Sequence, residues 1–594
     1  MQNKQSFFAL AVFAMTAIFV PGSFGQSDKP LSDEQAKEII SKTLAVKLAP
    51  DLSHLSDGEK ATLDKLMAAG ELMHELFLQQ RHSEAIAAYE RIKALPASEE
   101  SDRSRFLFWI SKGPVVTTLD NKRVAAFCKS DEEPGKTVYP PGIDTETLDK
   151  FIGDDARLRE QLLHDRSVVR ESTEENLAKH RATMKTYPQL AFLNPDFKKR
   201  LEVATPGSPK YYAVPYAIEY ANRLTKIYEL LNEAAGHVEA DDSEFATYLR
   251  HRARDLLCSD YEAGDAAWIT GRFKNINAEI GSYETYDDTL YGVKAFYAMS
   301  ILVRDPAKSA ALNSAIKNIQ SIENSLPYKH QKSVRSDIPV HVCNVVADFG
   351  QSRGANTATI LPNDAEHSRK YGRTILLRNN IMMNPDLFAT SNQKYRSAVA
   401  PKFREDLTIE ANFQRTLWHE VGHYLGVDRT ESGQSLDESL GKYSDLFEEM
   451  KADLVSLFSA KKLADAGVHS AEELKAIYAG GVLRVLQTVK PRMIDQPYQT
   501  MQVIQWNYYM GNGVLSFDEK TGLLSIDYDK YHATVEKLLG EVLAVQRAGN
   551  LQRAAEFVEK HTEWREDLHE VVANRLRGAL TTRFTHVSYE ALEQ

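Results

Sequence analysis

Between Ser32 and Leu95, alanine, leucine, glutamate and lysine recur at helical spacing, and Leu72–Leu95 reads as a helical hairpin broken near Gln80–Ser83. Residues 113–145 are loop-rich, with Gly113-Pro114 and Pro140-Pro141-Gly142 between short Val/Thr stretches suited to strands. Leu148–Tyr187 returns to a charged, amphipathic helix that Pro188 ends. Pro206-Gly207-Ser208-Pro209 breaks the chain, and Tyr211–Glu262 predicts a long helical stretch. Periodicity is lost in residues 270–294, whereas Phe296–Leu326 again reads as helix. Ile338–Asp348 and Arg373–Arg378 predict short strands around a polar section. Leu407–Leu425, Ser444–Lys462 and Ala471–Gln487 predict three helices, and Tyr531–Leu580 is mostly helical. The pattern is that of a helix-dominated α+β protein whose strands cluster before residue 400.

At 594 residues and 66.9 kDa the chain is too long for one simple core, so two or more lobes are expected. A formal net charge of -11, a pI near 5.9 and no Lys/Arg-rich run argue against a nucleic-acid or anionic-membrane partner. Lys4, the apolar run Phe7–Val20 and the small residues Ser23 and Gly25 have the form of a signal peptide over residues 1–25, cut before Gln26. Export to a periplasm or the medium is the expectation, with no stable membrane insertion after cleavage; the alternative is an uncleaved tether. Cys128, Cys258 and Cys343 are far apart and resemble no metal site; isolated core cysteines are the simpler reading than one disulfide plus a free thiol.

The candidate chemistry lies in Thr416-Leu417-Trp418-His419-Glu420-Val421-Gly422-His423-Tyr424-Leu425. Residues four apart on a helix share a face, so His419 and His423 can offer ring nitrogens to one metal ion. Glu420 points about one hundred degrees away and is placed to take a proton from water at the metal. The bland alternative is a pair of satisfied core histidines. A catalytic zinc needs a third protein ligand. Gly426 fits the metzincin spacing, but Arg429 stands where that pattern has histidine and cannot deprotonate to bind zinc. A second helix, Tyr443–Asp453, carries Glu449 and Asp453 on one face. One can bind zinc while the other fixes a histidine tautomer; the alternative, a solvated acidic face, sits poorly with Leu454, Val455, Leu457 and Phe458.

Glu448-Glu449-Met450-Lys451-Ala452-Asp453 resembles the Glu-Glu-x-x-Ala-acid helix of the dipeptidyl peptidase III family of zinc aminodipeptidases. The five-residue His-Glu-x-x-His form is similar to that of the family's bacterial and plant branch, some of it fused to Nudix domains. Ile280-Gly281-Ser282-Tyr283-Glu284-Thr285-Tyr286, Gly354-Ala355-Asn356 and Leu361-Pro362-Asn363-Asp364 resemble further segments of that branch, and the likeness runs from about Tyr211 to Lys560. The resemblance implies one Zn²⁺ held by His419, His423 and Glu449, with Glu420 as general base; Asp453 orients one histidine, and Glu448 stands beside it as a further neighbour of the ligands. It implies that Asn356, Asn363 and Glu284 hold the free amino terminus of an oligopeptide substrate. It also implies two lobes with a cleft between them: a helical zinc lobe over 402–568 and a mixed substrate-binding lobe over 201–401, with 296–332 a candidate to join the former. Residues 26–200 form an N-terminal helical region and 569–594 a C-terminal segment. Two positions depart from the family pattern: Glu279 replaces a substrate-facing tyrosine, and Thr500 a histidine thought to steady the transition state. Tyr508, Tyr509 and His532 are candidates to replace that histidine. The expected function is an exported dipeptide-releasing zinc peptidase with no protein partner; a zinc endopeptidase and a zinc-containing binding protein without catalysis are the alternatives.

Overall fold

The computed structural model describes residues 31–130, 132–334, 338–361, 365–492 and 496–593, so the leader and Asn363 lie outside it. The described chain forms two compact units and passes between them near residues 306, 340, 374 and 581.

The larger unit is built on a five-stranded sheet. Its strands are β1 (Ile276–Ser282), β2 (Tyr297–Arg304), β3 (Val340–Gly350), β4 (Ala358–Leu361) and β5 (Thr374–Arg378), in the order β1-β2-β3-β5-β4. The helices α1 (Asp57–Arg81), α2 (Ala221–Val238) and α3 (Ser243–Cys258) pack side by side, and α1 lies on β2. Ser56 and Glu59 close a reciprocal capping box that starts α1. At Gly70 of α1 a Cβ would run into the Phe349 ring of β3, so glycine sets how closely that helix approaches the sheet.

The structure departs from the sequence expectations where a strand has a partner that the local pattern does not show. Phe296–Leu326 is not one helix: it opens with β2, whose run Tyr-Ala-Met-Ser-Ile-Leu-Val-Arg is almost wholly buried between β1 and β3. An unbroken apolar run fits a doubly flanked strand as well as a buried helix, and periodicity cannot separate them. β1 emerges from the stretch 270–294 that lacked periodicity; all its residues are buried, and the Asn277 amide accepts from the Trp268 indole at 2.8 Å. Thr43–Leu48, inside the expected N-terminal helical region, is a strand paired in parallel with Phe584–Tyr589 from the far end of the chain. Ser167–Glu171, inside Leu148–Tyr187, pairs with Tyr211–Pro215. A hairpin at Leu515–Ile526 and the Phe584–Tyr589 strand also put strands beyond residue 400.

The second unit comprises 307–340 and 375–581 among the described residues and is helical. Its helices α4 (Ile409–Gly422), α6 (Ala471–Val485), α7 (Pro497–Gly511) and α8 (Tyr531–Ala548) surround α5 (Ser444–Asp465). Buried residues of α5, from Leu446 to Leu463, occupy every side of the helix, as a central helix requires.

Candidate metal centre

Thr408 starts α4 by accepting the Ala411 N–H, and the helix carries the motif in its last turn. Gly422 is where α4 and α5 meet. A Cβ there would lie 2.9 Å from the Ala452 carbonyl oxygen, so a larger residue would push the two helices apart. Beyond the end of the helix, Gly426 has φ +77° and its N–H donates at 2.8 Å to Glu323 of the segment 307–340. Arg429, just beyond, is exposed and donates to the Gly433 carbonyl at 3.0 Å, away from any ligand position.

The helix contact brings three side chains together. The rings of His419 and His423 have centroids 5.0 Å apart and stand at 89° to each other. His419 Nε2 lies 3.3 Å from Glu449 Oε2, and His423 Nε2 lies 3.8 Å from Glu449 Oε1. One ligand atom from each residue falls within 4.8 Å of the other two; among the described residues no other trio of His, Cys, Asp or Glu does so. The opposite ring nitrogens are occupied. His419 Nδ1 meets Asp453 Oδ1 at 2.7 Å, and His423 Nδ1 meets Glu448 Oε1 at 3.0 Å. A proton held on each Nδ1 by these carboxylates leaves an Nε2 lone pair facing Glu449.

These donors fit a divalent cation. Glu449 Oε2 is buried with no hydrogen-bond donor on it, an arrangement that costs about 1–3 kcal/mol unless a positive charge compensates it. Two imidazole nitrogens and one carboxylate oxygen are a zinc donor set, with a fourth position left over. His419, His423 and Glu449 are the residues that could hold such a cation.

Each anchoring carboxylate has its own counter-charge. Asp453 accepts from Arg415 at 3.2 Å and Arg484 at 3.1 Å, and Glu448 from Lys451 at 2.8 Å. Against the cost of burial, these cations and the histidines hold both carboxyls well below the usual range. Burial pulls the His419 imidazole down, but Asp453 and Glu449 outweigh it and its pKa is pushed up to about 9. Without an ion, a proton on His419 takes over part of the cation's role. Burial pushes Glu420 up; the two histidines oppose this and Glu449 adds to it. A carboxyl whose pKa is raised is a better proton acceptor than an ordinary one.

The other expected site residues belong to the sheet unit. Asn356, between β3 and β4, is buried and donates to the Ser352 carbonyl at 3.0 Å. Glu284, just after β1, is half-buried and its carbonyl accepts the Phe296 N–H at 3.1 Å. Glu279 is buried in β1 opposite Ser300. In the helical unit Thr500 is buried in α7. Tyr508 donates to Glu541 at 2.7 Å, Tyr509 to Gln505 at 3.3 Å, and His532 stacks on Phe458 with centroids 5.4 Å apart. Sequence reasoning missed Arg415 and Lys451, though they stand one helical turn from His419 and Glu448 and helix spacing could have found them. Tyr498, Arg484, Gln505 and Gln546 arrive from other helices and left no signal. Tyr498 donates to Glu449 Oε1 at 3.1 Å, and Gln546 reaches Glu448 at 3.4 Å.

Solved structures share this fold. DPP III from Caldithrix abyssi superposes with a TM-score of 0.78 over 94% of this chain and 99% of that one, at 23% identity. Dipeptidyl-peptidase III from Corallococcus sp. strain EGB gives 0.73 over 95% and 98%, at 22% identity. The fold is that of dipeptidyl peptidase III. Nudix hydrolase 3 of Arabidopsis thaliana is 23% identical over 561 residues, 87% of this chain and 69% of that protein. No protein-family profile matches the chain.

Proposed function

We propose that this chain is a zinc peptidase that releases dipeptides from the free amino terminus of oligopeptides, and that it is exported. The observation that carries the reading is the convergence of His419 Nε2, His423 Nε2 and Glu449 beside buried Glu420, in a chain with the dipeptidyl peptidase III fold. When bound, one zinc ion supplies Lewis acidity toward the scissile carbonyl and toward water. The carboxylate of Glu420 takes the proton of the attacking water and returns it to the leaving amine. Asp453 and Glu448 keep each imidazole in the Nδ1–H tautomer through that transfer. Asn356, Asn363 and Glu284 are assigned to the substrate's ammonium group, which wants such acceptors.

The test is turnover of a panel of dipeptidyl-naphthylamides by the purified chain, with and without a chelator. Chelator-sensitive release of dipeptides supports the proposal. Cleavage of N-terminally acetylated peptides replaces it with an endopeptidase, since an aminodipeptidase requires the free amine. Bound zinc with no turnover replaces it with a peptide-binding protein, the reading that Glu279 and Thr500 favour. For export, the sign is a mature chain starting at Gln26. No described helix is long and apolar enough to cross a membrane.

A further inference from the structure

Each metal-facing histidine is held from behind by a carboxylate of α5, but Glu449 is on α5 itself and its orientation needs a hold from elsewhere. That hold comes from Tyr498, in the first turn of α7, a helix that packs on α5. Its hydroxyl donates to Glu449 Oε1 at 3.1 Å. The other oxygen, Oε2, is buried, accepts no hydrogen bond and lies 3.3 Å from His419 Nε2. The two oxygens of one carboxylate are thus treated differently. Oε1, which also lies 3.8 Å from His423 Nε2, is engaged by a phenol, whereas Oε2 has no donor on it.

We propose that Tyr498 is a positioning residue that makes Glu449 a one-oxygen ligand through Oε2, keeping the fourth coordination position open; this rests on the zinc reading above. The physical reason is competition for lone pairs. A carboxylate free to turn can chelate an ion with both oxygens and occupy the place that substrate needs. A hydrogen bond to Oε1 both opposes that rotation and withdraws electron density from that oxygen. Orienting partners of this kind are worth 10–100-fold in metal affinity or activity. Tyr498 thereby completes a set in which every ligand has one partner: Asp453 for His419, Glu448 for His423 and Tyr498 for Glu449.

The variant Tyr498→Phe removes one oxygen atom and retains the ring, so the fold is kept. Cobalt(II) is substituted for zinc in the full chain, and the visible absorption of the wild type and the variant is compared together with zinc affinity by chelator competition. The expected result is a weaker ligand-field band in Tyr498→Phe, as four-coordinate cobalt gives way to a higher coordination number, with zinc affinity altered by up to about 100-fold. An unchanged cobalt spectrum and unchanged zinc affinity overturn the proposal, whatever happens to turnover. If turnover alone falls, Tyr498 instead acts on the substrate. Should the wild type bind neither cobalt nor zinc, the zinc reading has failed, and that outcome is distinct from a metal-binding wild type that matches its variant. A Tyr498→Leu variant with the same spectrum as Tyr498→Phe assigns the effect to the hydroxyl; a spectral change only in Tyr498→Leu assigns it to packing and overturns the proposal.

Discussion

Two buried clusters in this molecule use nearly the same residues to different ends. In the sheet unit, Asp265 is surrounded by Arg252 at 2.6 Å, Tyr283 at 2.7 Å and His367 at 2.9 Å, with Asp255 3.6 Å from the same arginine. In the helical unit, His419, His423, Glu448, Glu449 and Asp453 meet Arg415, Arg484 and Lys451. Both combine histidine, carboxylates and arginine away from solvent. In the first, donors converge on one acceptor, Asp265. In the second, the Nδ1 donors are turned outward to Asp453 and Glu448, and the two Nε2 atoms face the carboxylate of Glu449. Buried charge alone does not mark a metal site; the direction of the lone pairs does.

The sharpest test of this contrast is Glu420→Ala. It should lower turnover by about 10²–10⁴-fold, the usual worth of a general base, while zinc stoichiometry stays at the wild-type value; full residual activity would remove Glu420 from the chemistry. Next comes Asp265→Asn, which removes the charge of a buried carboxylate paired with Arg252. It should cost about 3–5 kcal/mol of stability, read as a lowered Tm, with zinc affinity untouched; a large loss of zinc affinity would erase the distinction between the clusters. The matching change in the metal centre, Asp453→Asn, should weaken zinc binding by about 10–100-fold by chelator competition. An unaltered affinity would mean that His419 needs no such anchor.

The smallest effect concerns pH. The His419 imidazole of the ion-free protein is pushed up to about 9 by Asp453 and Glu449 against the pull of burial. Below that pH it carries a proton that the metal must displace. Zinc affinity should therefore fall as pH is lowered from 9, by about tenfold per unit for one proton. A flat affinity between pH 7 and 9 would show that His419 is already deprotonated. The sheet-unit cluster, with no proton to release to a metal, should contribute nothing to this slope.

What the sequence determined by itself is local. Periodicity marked the helices at 409–422, 444–465 and 471–485 to within a few residues, because each presents a regular apolar pattern to its neighbours. The four-residue spacings placed His419 with His423 and Glu449 with Asp453 on shared faces, because helix geometry alone dictates that. Arg429 excluded a competing ligand pattern through its chemistry alone. Everything that depends on a distant partner was decided by tertiary structure. β2 is a strand because β1 and β3 flank it, and Thr43–Leu48 is a strand because residues 584–589 pair with it. The choice of Glu449 to face both Nε2 atoms while Asp453 takes an Nδ1 depends on how closely α4 and α5 approach at Gly422. Tyr498, Arg484 and Gln546 come from helices remote in sequence, so no spacing rule could have assigned them. Covalent spacing sets which side chains share a face, and packing decides what that face meets.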